Sequence, residues 1–185
     1  MLNRATFKEL WPCNCMEVFM GSNPAKSSGR VELRSICEAD LDTLFEYQSD
    51  PTANYMAAFT SKEPHTRATF GLWWGRLMAN DAIIKRVVLY DGTLVGSIIK
   101  FEMDGVPQVS YWYGREYWGR GIATTALRSF LMLVPSRPLH ARAAKDNIAS
   151  RRALEKCGFE LSAQERGYAN ARGIEIEEYV FTLKA

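Results

Sequence analysis

The spacing of apolar and polar residues changes along the chain, and each change predicts a different element of secondary structure. Val31–Arg34 alternates apolar and polar side chains, which predicts a short strand. Residues 38–47 carry apolar side chains at helical spacing, and Asp50-Pro51 is expected to break that helix. Residues 52–66 show no sustained period and are predicted to be irregular, whereas residues 69–78 predict a second, aromatic-rich helix.

Three apolar runs with short connections follow. Residues 85–90, 94–103 and 109–113 are rich in β-branched and aromatic side chains, which is typical of strands. The connections contain Asp91-Gly92 and Asp104-Gly105, and an Asp-Gly pair favours the tight turn of a β-hairpin. The three runs therefore predict an antiparallel meander.

A turn with two glycines links the third of these strands to a helix. Gly119 and Gly121 precede an apolar pattern of helical period, which Pro135 is expected to stop; its positions are Ile122, Ala126, Leu127, Phe130, Leu131 and Val134. The first amides of a helix have no partner within it and bind phosphate oxygens, and glycine allows a ligand to approach closely. The turn thus predicts a phosphate site, with the alternative that the glycines serve only to turn the chain.

The remaining elements are a strand, a capped helix and a hairpin. Leu139–Ala144 predicts a strand parallel to residues 109–113, because a helix lies between the two. Asn147 is a good N-cap for the next helix, and Gly158 is expected to end it in a Schellman cap, with Phe159 packing back on Leu154.

The C-terminal hairpin is predicted from residues 162–168 and Ile174–Leu183. In its second strand the parity of the apolar positions switches near Glu177 and Glu178. That switch predicts a bulge or a change of packing partner at this point.

Composition narrows the class of protein. The 185 residues suffice for one domain with a core, and 47% hydrophobic with 24% charged residues is ordinary for a globular protein. A net charge of +2, without basic runs, does not indicate a nucleic-acid partner, and no apolar run is long enough to span a membrane. The cysteines form no paired motif and predict reduced thiols in the cytoplasm; they are Cys13, Cys15, Cys37 and Cys157. With only two histidines, a metal site is not expected.

The first 29 residues differ from the rest of the chain. They lack sustained periodicity and end in turn-forming residues, and charged and polar side chains interrupt their apolar positions, unlike a signal peptide. Residues 1–29 are therefore predicted to be a partly disordered arm that is dispensable for folding, and residues 30–185 to be the domain.

Two sequence motifs carry a family resemblance. Trp118-Gly-Arg-Gly121-Ile-Ala123 stands at the glycine turn, and a second motif runs from Asn147 through Gly158 to Phe159. With the order of the elements, they resemble the GCN5-related N-acetyltransferase (GNAT) family, in particular its RimJ/RimL-type branch of ribosomal-protein N-terminal acetyltransferases. The family's pyrophosphate motif is (Gln/Arg)-x-x-Gly-x-(Gly/Ala), so Trp118 departs from it.

The resemblance implies both a fold and an activity. The fold would be α/β, with a mixed sheet built from an antiparallel meander, a βαβ unit and a C-terminal hairpin, and with helices on both faces. The activity would be transfer of an acetyl group from acetyl-CoA to a primary amine, which attacks the thioester directly without a metal. A homodimer is compatible with this family.

The resemblance also implies which residues hold acetyl-CoA. Residues 109–113 and Leu139–Ala144 are expected to splay apart and admit the pantetheine arm beside the backbone of Tyr111, Trp112 and Tyr113. The pyrophosphate is expected at the amides of the glycine turn, with charge from Arg115 and Arg120. The further cofactor contacts are expected from Trp118, Gly119, Arg120, Gly121, Ile122, Ala123, Thr124, Asn147 and Ser150.

The catalytic residues are less clearly marked. Many family members place a tyrosine seven residues after the asparagine as general acid, but that position here is Leu154. Ser150 shares its helix face and is expected to hydrogen-bond or protonate the departing thiolate, unless it is a first-turn serine bonded to backbone. Glu102 is the candidate general base, although Glu63 and Asp104 are equally visible and water could carry the amine proton.

Two other functions stay open at this point. One is a non-catalytic acyl-CoA sensor on the same fold, because the tyrosine is replaced by Leu154 and no residue is clearly marked as general base. The other is an NAD-binding oxidoreductase, because Gly119-x-Gly121-x-x-Thr124 nearly matches the dinucleotide motif and Asp146 lies about 20 residues on. The chain predicts only one βαβ unit, and this argues against the oxidoreductase. The acceptor is open among peptide N-termini, polyamines, amino sugars and other small amines, since residues 52–80 carry no recognisable motif.

Overall fold

The computed structural model describes residues 29–61 and 66–184. The strands are Val31–Arg34 (β1), Ile84–Tyr90 (β2), Thr93–Met103 (β3), Val106–Tyr113 (β4), Leu139–Ala144 (β5), Glu160–Ala169 (β6) and Ile174–Leu183 (β7). The α-helices are Leu41–Ser49 (α1), Pro51–Ala57 (α2), Arg67–Met78 (α3), Ile122–Leu131 (α4) and Ile148–Lys156 (α5). The predicted arm lies outside the described residues, apart from Gly29. None of these helices combines the length and apolarity needed to cross a bilayer.

All seven strands form one sheet in the order β1-β2-β3-β4-β5-β7-β6. Only β4 and β5 are parallel; the other neighbouring pairs are antiparallel. The meander β2–β4, the β4-α4-β5 unit and the β6–β7 hairpin are therefore as predicted. A dinucleotide-binding fold of the doubly wound type needs a mostly parallel sheet, so this topology excludes it.

The pairing between β4 and β5 is confined to one point. Gln108 faces His140, and no further ladder pair joins the two strands. Both strands continue in the same direction beyond this pair, to Tyr113 and Ala144, and leave a gap between their C-terminal ends. The other edge of β4 stays paired with β3 up to the Gly96–Tyr113 pair. The predicted splay is thus present, and it opens toward the glycine turn.

Helices cover both faces of the sheet, as expected. On one face, α4 and α5 bury Ile122, Leu127, Phe130 and Leu154 in a core that includes strands β3, β4, β5 and β7. On the other face, α1 and α3 pack on β2 and β3 through a smaller core; its fully enclosed members are Leu41, Leu44, Phe70, Trp74 and Val87. The aromatic side chains Phe70 and Trp74 are therefore structural.

The helix break predicted at Asp50-Pro51 is confirmed, because α1 ends at Ser49 with Asp50 as its C-cap, but the irregular segment expected to follow begins with a helix instead. Asp50 caps this new helix: its carboxylate accepts from the Ala53 amide at 2.8 Å, and Pro51 is the first residue of α2. Proline suits this position because its missing N–H would be unpaired there and its φ is already helical. The first predicted helix also differs, because Glu38–Asp40 is a 3-10 turn and the α-helix begins at Leu41.

In the C-terminal part of the chain, the predicted helix cap is confirmed, whereas the register shift of the hairpin lies in a different strand from the one predicted. Gly158 has φ +89°, and the Phe159 amide donates to the Leu154 carbonyl at 3.2 Å, which is the predicted Schellman arrangement. The register shift in the hairpin lies in β6 between Leu161 and Ala163, not near Glu177 in β7. The apolar parity of β7 changes because Val180 and Phe181 are buried on opposite faces of the sheet.

Candidate active site

The glycine turn has the backbone geometry that only glycine adopts freely. Gly119 and Gly121 have φ of +75° and +77°, and Gly121 is the N-cap of α4. A Cβ at either position would lie within 4 Å of no heavy atom beyond the adjoining chain. These two positions therefore need glycine for their backbone conformation and leave open space in front of the helix.

The amides of this turn are available to a ligand. Thr125 is the first residue of the helix whose amide bonds inside it, to the Gly121 carbonyl at 3.1 Å. Within the described residues, no hydrogen-bond partner is found for the amides of residues 119–124. The positive end of the helix dipole adds to their attraction for an anion. The turn therefore fits a phosphate-bearing ligand.

Side chains around the turn are partly engaged with the protein. The Trp118 indole is 40% exposed and donates to the Tyr113 carbonyl at 3.1 Å, so this residue braces the turn against β4. Arg115 is paired with Asp50 at 3.1 Å, whereas the Arg120 guanidinium lies 5.7 Å from the centre of the Tyr117 ring. Arg120 is thus better placed than Arg115 to offer charge to an anion.

Asn147 begins α5 as predicted and also ties it to α2. Its side-chain oxygen accepts from the Ser150 amide at 3.1 Å, which is a regular N-cap bond. Its side-chain nitrogen donates to the Met56 carbonyl at 3.1 Å. The side chain therefore fixes the first turn of α5, where Ser150 lies, relative to the helix on the opposite face of the sheet.

Ser150 meets a residue from across the gap between β4 and β5. The Tyr111 hydroxyl lies 2.8 Å from the Ser150 Oγ and 3.3 Å from the Ser150 carbonyl oxygen. Burial raises the pKa of Tyr111 to about 12, although its hydrogen bond with Ser150 acts in the opposite direction. Tyr111 therefore stays protonated at neutral pH, and the two hydroxyls form a hydrogen-bonded pair.

The neighbouring side chains on β4 and α5 contact different parts of the protein. Trp112 points to the opposite face from Tyr111, where its indole donates to the Tyr47 carbonyl at 2.9 Å. Tyr113 is buried, and its hydroxyl has no partner within the described part of the chain. Leu154 is 1% exposed and belongs to the core, so the position that often carries a tyrosine has a packing role here.

The structure does not bring Glu102 together with Ser150. Glu102 pairs with Pro107 near the start of β4, and its carboxylate bonds the Lys100 ammonium at 3.2 Å. Pro107 is four residues before Tyr111, which corresponds to about 13 Å along a strand. Glu102 is also largely exposed, as most surface carboxylates are.

The β6–β7 turn supplies residues that the sequence did not single out. Arg172 holds both oxygens of Asp146, at 2.7 and 3.0 Å, and its Nε donates to the Tyr55 carbonyl at 2.8 Å. Its guanidinium also lies 4.4 Å from the Tyr55 ring centre, while Asn170 donates to the Thr60 carbonyl at 2.7 Å. This turn therefore holds α2 and the segment after it against the sheet. No periodic or motif signal marks Arg172, because its partners are distant in sequence.

A charged cavity of about 540 Å³ opens beside this turn. Its lining is Lys145, Asp146, Arg166, Arg172, Glu175, Ile176 and Glu177. Two ion pairs lie in this lining, Arg172 with Asp146 and Lys145 with Glu177, each with 2.7 Å between nitrogen and oxygen. The two other charged side chains of the lining, Arg166 and Glu175, have opposite signs. The cavity therefore does not favour a strongly charged ligand of either sign. Separately, no three metal-ligating side chains cluster in the described ranges.

Comparisons with known proteins agree with this geometry. Residues 30–160 match the family model of the acetyltransferase (GNAT) domain. The chain is 26% identical over 166 residues to p20 of Bacillus licheniformis, an N-acetyltransferase described as uncharacterized, covering 83% of this chain and 92% of p20.

Solved structures share the fold. Mycobacterium smegmatis RimJ, solved with CoA-disulfide, superposes with a TM-score of 0.69 at 18% identity, over 85% of this chain and 83% of RimJ. The microcin C7 self-immunity acetyltransferase MccE, solved with acetyl-CoA and AMP, gives a TM-score of 0.70 at 14% identity, over 84% of this chain and 92% of MccE. At these identities the likeness establishes the fold alone.

Proposed function

This chain belongs to the GNAT acetyltransferase family, and we propose that it transfers the acetyl group of acetyl-CoA to a primary amine that attacks the thioester directly. The observation that carries the proposal is the position of the glycine turn. Its unpaired amides at the start of α4 lie at the open end of the gap between β4 and β5. A phosphate site and a slot for an extended arm are thus adjacent.

The residues that would hold the cofactor divide between the turn and the gap. Gly119 and Gly121 leave the turn open, so that the amides of residues 119–124 can bind the pyrophosphate, with Arg120 beside them. The Gly114 amide donates to the Val95 carbonyl, so by the alternation of an antiparallel ladder Trp112 bonds β3 opposite Ser97, contrary to its expected backbone contact with the cofactor. The backbone of Tyr111 and Tyr113 faces the gap and can pair with the amides of the pantetheine arm. Acetyl-CoA supplies the activated acetyl thioester. RimJ and MccE were solved with CoA-disulfide and with acetyl-CoA, which supports the assignment.

Two groups of the chain are proposed to stabilise the charges that develop during transfer. The backbone N–H groups of β4 that face the gap, at Tyr111 and Tyr113, stabilise the oxyanion of the tetrahedral intermediate. The Ser150 hydroxyl donates a hydrogen bond to the departing sulfur. No carboxylate is proposed as general base, since Glu102 is bonded to Lys100 and lies far along the sheet. Water carries the amine proton in this proposal.

The acceptor is proposed to approach from the side of α2. The segment from Tyr55 to Thr60 is held over the sheet by Arg172 and Asn170, so it lies beside the open ends of β4 and β5. The acceptor class is a peptide N-terminus, a polyamine or another small amine. The expected cytoplasmic location is proposed here as well, since Cys157 lies in no disulfide and intracellular proteins keep their cysteines reduced.

A thiol-release screen tests the function. The protein is mixed with acetyl-CoA and a panel of peptides, polyamines and small amines, and free CoA is measured with a thiol reagent. Release that depends on an amine supports the enzyme, whereas binding without release for every amine would favour the acyl-CoA sensor.

Thermal denaturation provides a second readout. Acetyl-CoA at 100 times its Kd adds about 2.7 kcal/mol to the free energy of unfolding. For a chain of this length that corresponds to a rise in Tm of about 5 to 11 °C. A rise with NAD(H) and none with acetyl-CoA would contradict the proposal.

A further inference from the structure

The hydroxyl of Ser150 can point in more than one direction, and its direction decides whether it helps the reaction. A serine in the first turn of a helix commonly bonds to nearby backbone. In that orientation its proton is not available to a ligand. The family assignment does not resolve this question, whereas the contact with Tyr111 bears on it directly.

We propose that Tyr111 is a positioning residue that donates its hydroxyl proton to the Ser150 Oγ and so leaves the Ser150 proton free to face the departing sulfur. The inference rests on the proposed function. The distance of 2.8 Å between the two oxygens is the usual length of a good O–H···O bond, and the alternative acceptor, the Ser150 carbonyl, is farther away at 3.3 Å. Tyr111 has one proton to donate, and the shorter bond is the stronger one.

The surroundings of Tyr111 hold it in this role. Its ring packs against the core formed by α4 and α5, with its centre 5.8 Å from that of Tyr113. The strand β4 fixes its backbone, while Asn147 fixes the backbone of Ser150 through the cap bond. The two hydroxyls are thus supported from opposite sides of the gap. The raised pKa of Tyr111 keeps its proton in place at the pH of the reaction.

A hydrogen bond, without full proton transfer, is enough to stabilise the departing thiolate. The C–N bond forms first and gives the tetrahedral intermediate; when the C–S bond then breaks, the electron pair of that bond leaves with the sulfur. A thiol has a pKa of about 8.5, so the thiolate is a fair leaving group and is too weak a base to deprotonate a serine hydroxyl. Ser150 and Tyr111 therefore both keep their protons, and the proton of the attacking amine passes to water.

A cysteine at position 150 reports the hydrogen bond without turnover. In Ser150→Cys, the pKa of the new thiol is measured from the pH dependence of its alkylation, with the modified peptide quantified by mass spectrometry. A bond donated by Tyr111 stabilises the thiolate, so adding Tyr111→Phe is expected to raise that pKa by about one to two units. An unchanged pKa would overturn the proposal. Tyr179→Phe is the control, because it removes a tyrosine hydroxyl from the same core and keeps the ring on Arg151.

Kinetics with the active protein provide the second test. Ser150→Ala is expected to lower kcat by about 10²- to 10³-fold, the usual cost of removing one hydrogen-bond donor to a developing charge. Tyr111→Phe is expected to lower kcat by about tenfold with little change in the KM for acetyl-CoA, and to have no further effect in the Ser150→Ala background. Additive effects of the two substitutions would overturn the positioning role while leaving the proposed function intact. A fully active Ser150→Ala would instead refute the role of Ser150 itself.

Discussion

The substitution Gly121→Ala separates binding from folding at the glycine turn. The residue has φ +77°, where an L-amino acid other than glycine is strained by about 1 to 2 kcal/mol. The added methyl meets no protein atom within 4 Å, so the fold loses stability only through this backbone strain. For 185 residues we expect Tm to fall by about 2 to 8 °C.

The effect on the cofactor has a different origin. The methyl group enters the space in front of α4 and displaces a pyrophosphate oxygen from one of the unpaired amides. A hydrogen bond to a charged group contributes about 1.5 to 3 kcal/mol. Losing one bond therefore raises the Kd for acetyl-CoA by about 10- to 150-fold. Titration calorimetry of the purified variant measures this change directly.

Gly105→Ala is a matched control for the strain. Gly105 also has a positive φ, +76°, and a Cβ there also meets nothing within 4 Å. It lies in the β3–β4 turn, at the far end of β4 from the glycine turn. The control should lose a similar amount of Tm and bind acetyl-CoA with the wild-type Kd.

The Tm and the Kd of the two variants together decide whether the turn binds the cofactor. If Gly121→Ala shows the expected loss of Tm but keeps the wild-type Kd, the amides of the turn do not contact the cofactor. If Gly105→Ala loses affinity as well, backbone strain affects the binding site from a distance.

Three further predictions concern stability. Asn147→Ala should lower the free energy of unfolding by about 0.5 to 2 kcal/mol through loss of the cap, and Asn147→Asp, which keeps the cap but not the bond to Met56, should lose less in urea denaturation. The hydrogen bond from Arg172 lowers the pKa of Asp146, so this pair stabilises the fold above the usual pKa of 3.8 and the contribution is lost as pH falls through the lowered value. The urea midpoints of wild type and Asp146→Asn should therefore differ at pH 6 and converge toward pH 2. Gly96→Ala should lower Tm, because its Cβ would overlap the backbone of β4.

Features that depend on neighbouring residues were predictable from the sequence. The Schellman cap at Gly158 and the hairpin turn at Gly105 follow from the positive φ that glycine supplies. Asp50-Pro51 correctly marked the end of α1, but the start of α2 at the same residues was missed, because these residue types occur both at breaks and at starts of helices. Periodicity over only seven residues of α2 was too short to decide between the two.

Features that depend on distant contacts were not predictable in the same way. Tyr111 and Ser150 were each assigned to the site, but they are 39 residues apart, and no pattern links their hydroxyls. Their contact requires that β4 and β5 diverge while α5 returns to the same face. Similarly, Glu102 could be set aside only once the register of β3 on β4 was known.

The single ladder pair between Gln108 and His140 has a mechanical consequence. Strands β1–β4 and strands β5–β7 form two blocks whose hydrogen bonding meets at that one pair, so the sheet has a seam along its middle. Beyond this pair, the backbone groups of Tyr111 and Tyr113 that face the seam have no partner on β5, so they bond water until a ligand replaces it. Amide hydrogen exchange should therefore slow along this strand when acetyl-CoA binds, and the two blocks should then resist denaturant as a single unit.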